Sequence, residues 1–143
     1  MGWEAIENVK PVYSKSAVPA DGVLVKTRRA MNDIRFIEVK VGGVLAKRAR
    51  FHADEYKIRL LFGTGPDAGK IAVSLDQQNG TFLARKGRRN EVYTLTINRA
   101  AAEGLFSLEF DPFTVSNVEA IRPENGQPPM FTFKASAQML EVE

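Results

Sequence analysis

Between residues 56 and 62 an apolar side chain recurs at every second position, Tyr56, Ile58, Leu60 and Phe62, with Lys57, Arg59 and Leu61 between them. A period of two fits an extended strand with one buried face; wound on a helix, the same residues would be scattered around the axis. The pattern returns in VLVKTRR (23–29), KIAVSL (70–75) and YTLTINR (93–99). In IRFIEVK (34–40) it divides Ile34, Phe36 and Glu38 from Arg35, Ile37 and Val39. TFLARKG (81–87), FTVSNVEAI (113–121) and MFTFKASAQML (130–140) also read as strands. A chain with so many alternating segments has to build a sheet.

The connections carry turn chemistry. Asn79-Gly80 is a hairpin signal, since both residues tolerate positive φ, and it predicts that 70–75 and 81–87 pair with each other in a meander. FGTGPDAGKI (62–71) has the glycines and lysine of a phosphate-binding loop. That motif needs glycine five residues before Gly69, where Thr64 stands, and a hydroxyl after Lys70, where Ile71 stands. The stretch therefore predicts a hairpin connection opening a strand at Lys70. HADE (52–55) and ENGQPP (124–129) read as further turns.

Helical spacing is confined to short stretches. In VGGVLAKRARF (41–51), Val41, Val44, Leu45 and Arg48 fall on one helical face, with Lys47, Arg48 and Arg50 at the end where cations suit the helix dipole. AAAEGLF (100–106) predicts a second helical turn. Residues 1–22 form an irregular arm, expected to pack Trp3 on the body. The expected fold class is α+β, predominantly β. Two units of strand, short helix, strand, turn and strand, 23–90 and 91–143, pack as one compact domain, since neither can bury enough surface alone.

Charge divides the chain in the same way. Residues 23–100 carry 16 Lys and Arg against 7 Asp and Glu, whereas residues 101–143 carry 2 against 7. The first unit is basic and the tail acidic, which favours a polyanionic partner for the former. Lys26, Arg28, Arg29, Arg35, Lys47, Arg48, Arg50, Lys86, Arg88 and Arg89 are the cations available for phosphate contacts, grouped in KTRR, AKRAR and RKGRR. Phe36, Phe51, Tyr56, Phe62, Phe82 and Tyr93 lie among these cations, the ingredients of a single-strand stacking platform, although alternation assigns most of them to the core.

FIEVKVGGVLAKRARFHADEYKIRLLFG (36–63) and YTLTINRAAAEGLFSLEF (93–110) resemble the AbrB-type swapped-hairpin DNA-binding family, in which a strand leads into a short helix, a turn and a hairpin. LAKRARFHADEYKIRL (45–60) carries the resemblance most closely, and two such units in one chain resemble the MraZ-type duplicated arrangement. The resemblance implies a β-rich surface whose lysines and arginines meet duplex DNA, from a homodimer, in a transcriptional regulator. Two other readings stand beside it: a non-enzymatic interaction or structural protein, such as a bacteriophage accessory or virion-associated component, and a single-stranded nucleic-acid-binding protein.

Catalytic chemistry finds little footing. The single histidine, His52, sits in a polar turn beside Asp54 and Glu55 and reads as a solvated side chain. There is no cysteine and no G-x-S-x-G setting. The expectation is a protein that is not an enzyme, with no metal, cofactor or small-molecule substrate. Lack of cysteine, of a leader pattern and of a long apolar run points to the cytoplasm and away from a membrane.

Overall fold

The computed structural model describes residues 2–5, 18–29, 31–51, 53–87, 91–121 and 128–141. Strands β1 (Val23–Arg29) and β2 (Arg35–Val41) form a hairpin, and α1 (Gly43–Arg48) follows. Then come β3 (Glu55–Phe62), β4 (Lys70–Ser74), β5 (Phe82–Lys86), β6 (Tyr93–Ile97) and α2 (Arg99–Ala102). The chain continues through β7 (Phe113–Val115), β8 (Ala120–Ile121), β9 (Met130–Lys134) and α3 (Ala137–Leu140). The fold is α+β and predominantly β, as the alternation requires.

All nine strands belong to one sheet in the order β7-β1-β2-β6-β5-β3-β4-β9-β8, every pairing antiparallel. Its two edges, β7 and β8, are consecutive in the chain and separated only by residues 116–119. A flat sheet of this order would be about 38 Å wide at roughly 4.8 Å per strand step. Five Cα steps reach at most about 18 Å. The sheet therefore curls until its edges approach. The bend is focused on β3, whose first half (Glu55 to Ile58) pairs with β5 and whose second half (Arg59 to Phe62) pairs with β4.

Inside the curl the register aligns apolar residues across neighbouring strands. Val25, Val39 and Leu95 stand side by side on β1, β2 and β6, and Ala84 and Tyr56 continue the row on β5 and β3. Ile58, Ile71, Val73, Phe131 and Phe133 close the opposite wall. Each large aliphatic side chain so buried stabilises by about 1.5–3 kcal/mol. The short helices cap this core with Leu45, Ala46, Ala102 and Met139. Asn98 and Ser136 start α2 and α3 by accepting from the N–H of Ala101 and Met139 at 2.8 and 3.2 Å. In α1 the Ala20 carbonyl does this work, accepting from Val44 and Leu45. A side chain at Gly42 would not fit, since its Cβ would lie 1.9 Å from the Pro19 oxygen.

The chain between Gly63 and Lys70 turns back as expected of 62–71: Gly63 N–H donates to Lys70 O at 2.9 Å and Phe62 stands opposite Ile71. Lys70 is held by Asp67 at 3.1 Å. Asn79-Gly80 behaves differently from its local signal. β4 and β5 do not pair; they flank β3 on opposite sides, and residues 75–81 carry the chain across it. Asp76 folds that crossing by accepting from the N–H of Gln78 and Asn79, and Thr81 N–H ties it to Ile58 O. Gly80 is required by closeness, as a Cβ there would stand 2.7 Å from the Ile58 nitrogen.

Four other expectations are corrected. The segment 113–121 is broken: Asn117 takes a left-handed conformation (φ 55°), Val118 turns into the core, and the two fragments go to opposite edges. The strand at 130–140 ends at Lys134, and Ser136 begins α3. Trp3 is 95% exposed and does not pack on the body, while α1 buries Leu45 and Ala46 and leaves Val44 outward.

Candidate nucleic-acid interface

Where the inward positions of a curled sheet are apolar, the alternate positions form its convex face. One row across that face is Thr114, Leu24, Lys40, Thr94, Arg85 and Glu55, each opposite the next on β7, β1, β2, β6, β5 and β3. In the next row Lys26, Glu38 and Thr96 lie side by side, and Leu83 faces Lys57. Arg28 lies opposite Phe36 beyond them, and Arg59 follows Lys57 along β3. The face thus gathers Lys26, Arg28, Lys40, Lys57, Arg59 and Arg85 around two carboxylates, Glu38 and Glu55. Arg85 and Glu55 are both well exposed and 3.0 Å apart.

Glu38 is the unusual member, a carboxylate only 4% exposed on an outward position. Arg28 Nη1 donates to its Oε2 at 3.0 Å, and the ammonium groups of Lys40 and Lys26 lie 3.6 and 3.8 Å from Oε1. No hydrogen-bond donor reaches Oε1 among the described residues. One negative charge thus fixes three positive ones in a cluster, lowering their mutual repulsion and leaving a surplus of cation at the surface.

The cations expected from sequence fall into three groups. Lys26 and Arg28 lie on the convex face. Arg29 and Arg35 stand opposite each other at the far end of the β1–β2 hairpin, on its other side, beside a cleft of about 370 Å³ completed by Leu108, Glu109, Phe110, Asp111 and Gln138. Arg35 is ion-paired there with Glu109. Lys47, Arg48 and Arg50 are exposed at the end of α1, where Lys47 meets Glu91 at 3.2 Å, and Lys86 is exposed at the end of β5 opposite Tyr93. Arg88, Arg89 and His52 lie outside the described residues. Lys40, Lys57, Arg59 and Arg85 were missed by reading basic clusters along the chain; extending the period-two pattern outward from Val39, Ile58 and Ala84 would have found them.

Most of the aromatics are used for packing. Phe51, Tyr56 and Tyr93 form a buried trio, with Phe51 4.8 Å from Tyr93 edge-to-face and 5.1 Å from Tyr56. The two tyrosine hydroxyls take up both backbone groups of one residue: Tyr93 donates to Ala53 O, and Tyr56 accepts from Ala53 N–H at 2.7 Å. Burial, reinforced by Tyr56, Asp54 and Glu91, raises the Tyr93 pKa above the ordinary tyrosine value. Phe62 is partly exposed against Phe106, and Phe36 and Phe82 are half-buried. A continuous stacking track is not assembled from these rings.

Among the described residues no group of three His, Asp or Glu side chains could hold a metal, and no helix is long and apolar enough to cross a membrane. Comparison with protein-family models, with curated proteins and with solved structures finds no match.

Proposed function

We propose that this is a small, non-enzymatic DNA-binding protein of the regulator type, which meets the duplex backbone through the convex face of β1, β2, β5 and β3. The observation that carries the reading is the convergence of Lys26, Arg28, Lys40, Lys57, Arg59 and Arg85 on one exposed sheet face, drawn from four strands by register. Lysines and arginines so displayed each displace counterions from phosphates and give salt-dependent affinity. The trio of buried rings favours duplex over single-stranded partners, because the aromatics a single strand would stack on are occupied.

The two-unit arrangement, expected at 23–90 and 91–143, belongs to the same proposal in a redrawn form, with units at 23–62 and 82–115, so that β5 passes to the second unit. Exchanging β1, β2 and β3 with β5, β6 and β7 reverses the order β7-β1-β2-β6-β5-β3 onto itself. The register supports this in detail. Val39 opposite Leu95 lies at the centre of the β2–β6 pairing, Thr27 opposite Ile37 corresponds to Lys86 opposite Tyr93, and Ile58 opposite Phe82 corresponds to Val115 opposite Val23. Helices α1 and α2 each start two residues after the equivalent strand ends. On this local dyad Lys26 and Arg85 occupy equivalent places, a two-fold pair of cations suited to the two-fold symmetry of a duplex backbone. A homodimer, which the AbrB-like resemblance implies, becomes an added assembly and is not needed to create a symmetric surface.

Fluorescence anisotropy with a labelled random-sequence duplex, titrated with KCl, tests the reading. Wild type is expected to bind at low salt and to lose affinity log-linearly, and K26Q/R85Q to reduce that slope by about 2, roughly 0.9 for each phosphate contact. Absence of low-salt binding refutes it, and stronger binding to single strands in competition replaces it with the single-strand alternative.

A further inference from the structure

The β1–β2 hairpin outruns its sheet. β7 pairs only with Val23 to Val25 of β1, and β6 reaches no further along β2 than Ile37, yet β1 and β2 remain paired to Arg29 and Arg35. Beyond Ile37 they form a two-stranded ribbon without sheet neighbours among the described residues. The corresponding hairpin of the other unit is shorter: nine residues separate Thr27 from Ile37, against six between Lys86 and Tyr93. The extra length ends in an apolar tip, with Met31 88% exposed and Ile34 45% exposed, at a turn fixed by Asn32 in the left-handed conformation (φ 67°). Arg28, Arg29 and Arg35 flank that tip. On its inner side the ribbon is braced by the Arg35–Glu109 ion pair, and on its outer side Arg28 continues the convex basic face.

Met31 and Ile34 together place exposed apolar surface at the end of the ribbon, in the setting of three arginines. Residues 28–35 carry three arginines against the single acid Asp33, a net positive charge continuous with the basic face, and on that ground we propose that the tip is a wedge for the DNA minor groove. Met31, with Ile34 in the same tip, enters between adjacent base pairs while the exposed Arg28 and Arg29 meet the flanking phosphates and Arg35 stays with Glu109 as the brace. This rests on the duplex-binding reading and adds to it that the DNA is kinked on binding. β1 runs three residues beyond Lys26 to Arg29, about 10 Å at 3.4 Å per residue, and Met31 lies in the turn that follows, so the tip stands past the backbone contacts of the convex face. Apolar wedges of this type unstack a step and bend the duplex by roughly 20–90°.

The test uses the full chain and a duplex of about 30 base pairs carrying an end-to-end FRET pair, and a second duplex with 2-aminopurine at successive steps. Wild type is expected to raise FRET and 2-aminopurine emission. M31A/I34A, altered only at exposed positions and checked by circular dichroism, is expected to bind about 3- to 10-fold more weakly with an unchanged salt slope and to give neither signal. Equal bending by M31A/I34A, or binding by wild type with no bending, overturns the wedge while the duplex-binding reading stands. No duplex binding by wild type removes both. Sedimentation of wild type with anionic phosphatidylserine vesicles, lost in M31A/I34A and accompanied by no DNA bending, would assign the tip to a lipid surface and overturn the wedge.

Discussion

Replacing Glu38 by glutamine should lower stability and raise DNA affinity together. At an effective dielectric near 20, each of the three ion pairs made by its carboxylate is worth roughly 4–6 kcal/mol before solvation is counted. Desolvating the carboxylate costs several kcal/mol, and the cations keep 30–55% of their side-chain surface in water, which screens each pair. Glutamine keeps the shape and one acceptor for Arg28 but leaves three cations without a counter-charge. The expected net loss is about 1.5–3 kcal/mol. With a urea m-value near 2 kcal/mol/M, that is a fall in midpoint of about 1 M. Far-UV circular dichroism is the suitable probe, because the single tryptophan, Trp3, is exposed and insensitive to the core. E55Q removes a carboxylate from the same face, but from an exposed pair, and should shift stability by less than about 1 kcal/mol. Duplex affinity at low salt should rise in E38Q, since the face gains one net positive charge. Equal midpoints for E38Q and E55Q, or a weaker E38Q complex, would refute the assignment of Glu38 as a buried clamp beneath a phosphate-binding surface.

Other consequences are more local. G80A should cost about 2–4 kcal/mol in the same urea assay, because its Cβ meets the Asp76 oxygen at 2.5 Å and the Ile58 nitrogen at 2.7 Å, both backbone atoms with little room to move. Y93F removes the hydroxyl's bond to the Ala53 carbonyl and should cost about 0.5–1.5 kcal/mol at neutral pH. The Tyr93 pKa is raised in the fold, so the neutral hydroxyl contributes stability that is present below about pH 10 and lost as pH rises through the folded value; the alkaline fall in stability should be shallower in Y93F. Asp76 behaves oppositely. The backbone N–H of Asn79 holds its carboxyl below the usual range, so its contribution is present above the unfolded value and lost as acid protonates it, and D76N should flatten the stability profile below about pH 4.

Alternation along the chain made the strands and most of their inward faces legible, because period two is a property of the backbone and survives without knowledge of neighbours. Strand partners were less legible. Asn79-Gly80 has the local chemistry of a hairpin, but β4 and β5 find better partners on either side of β3, a choice made by distant residues. Asn117 and Ser136 carried the cues for a bend and a helix start inside segments that read as continuous strands. The candidate interface was half legible. Basic clusters such as KTRR mix both faces of a strand, so Lys26 and Arg28 take the outward register while Arg29 takes the other, although Arg28 and Arg29 both border the cleft. Glu38 could not be identified as buried from its own segment, since its burial depends on Lys26 and Arg28 of β1 arriving in register beside it.

Lysine acetylation footprinting of the free and duplex-bound protein, quantified by mass spectrometry, tests the assignment of the convex face most directly. Lys40 and Lys57 lie on that face, whereas Lys70 and Lys134 stand opposite each other on β4 and β9, on the far part of the curled sheet. The account predicts that saturating duplex slows acetylation of Lys40 and Lys57 several-fold and leaves Lys70 and Lys134 unchanged. Protection of Lys70 and Lys134 with Lys40 and Lys57 still reactive would contradict it.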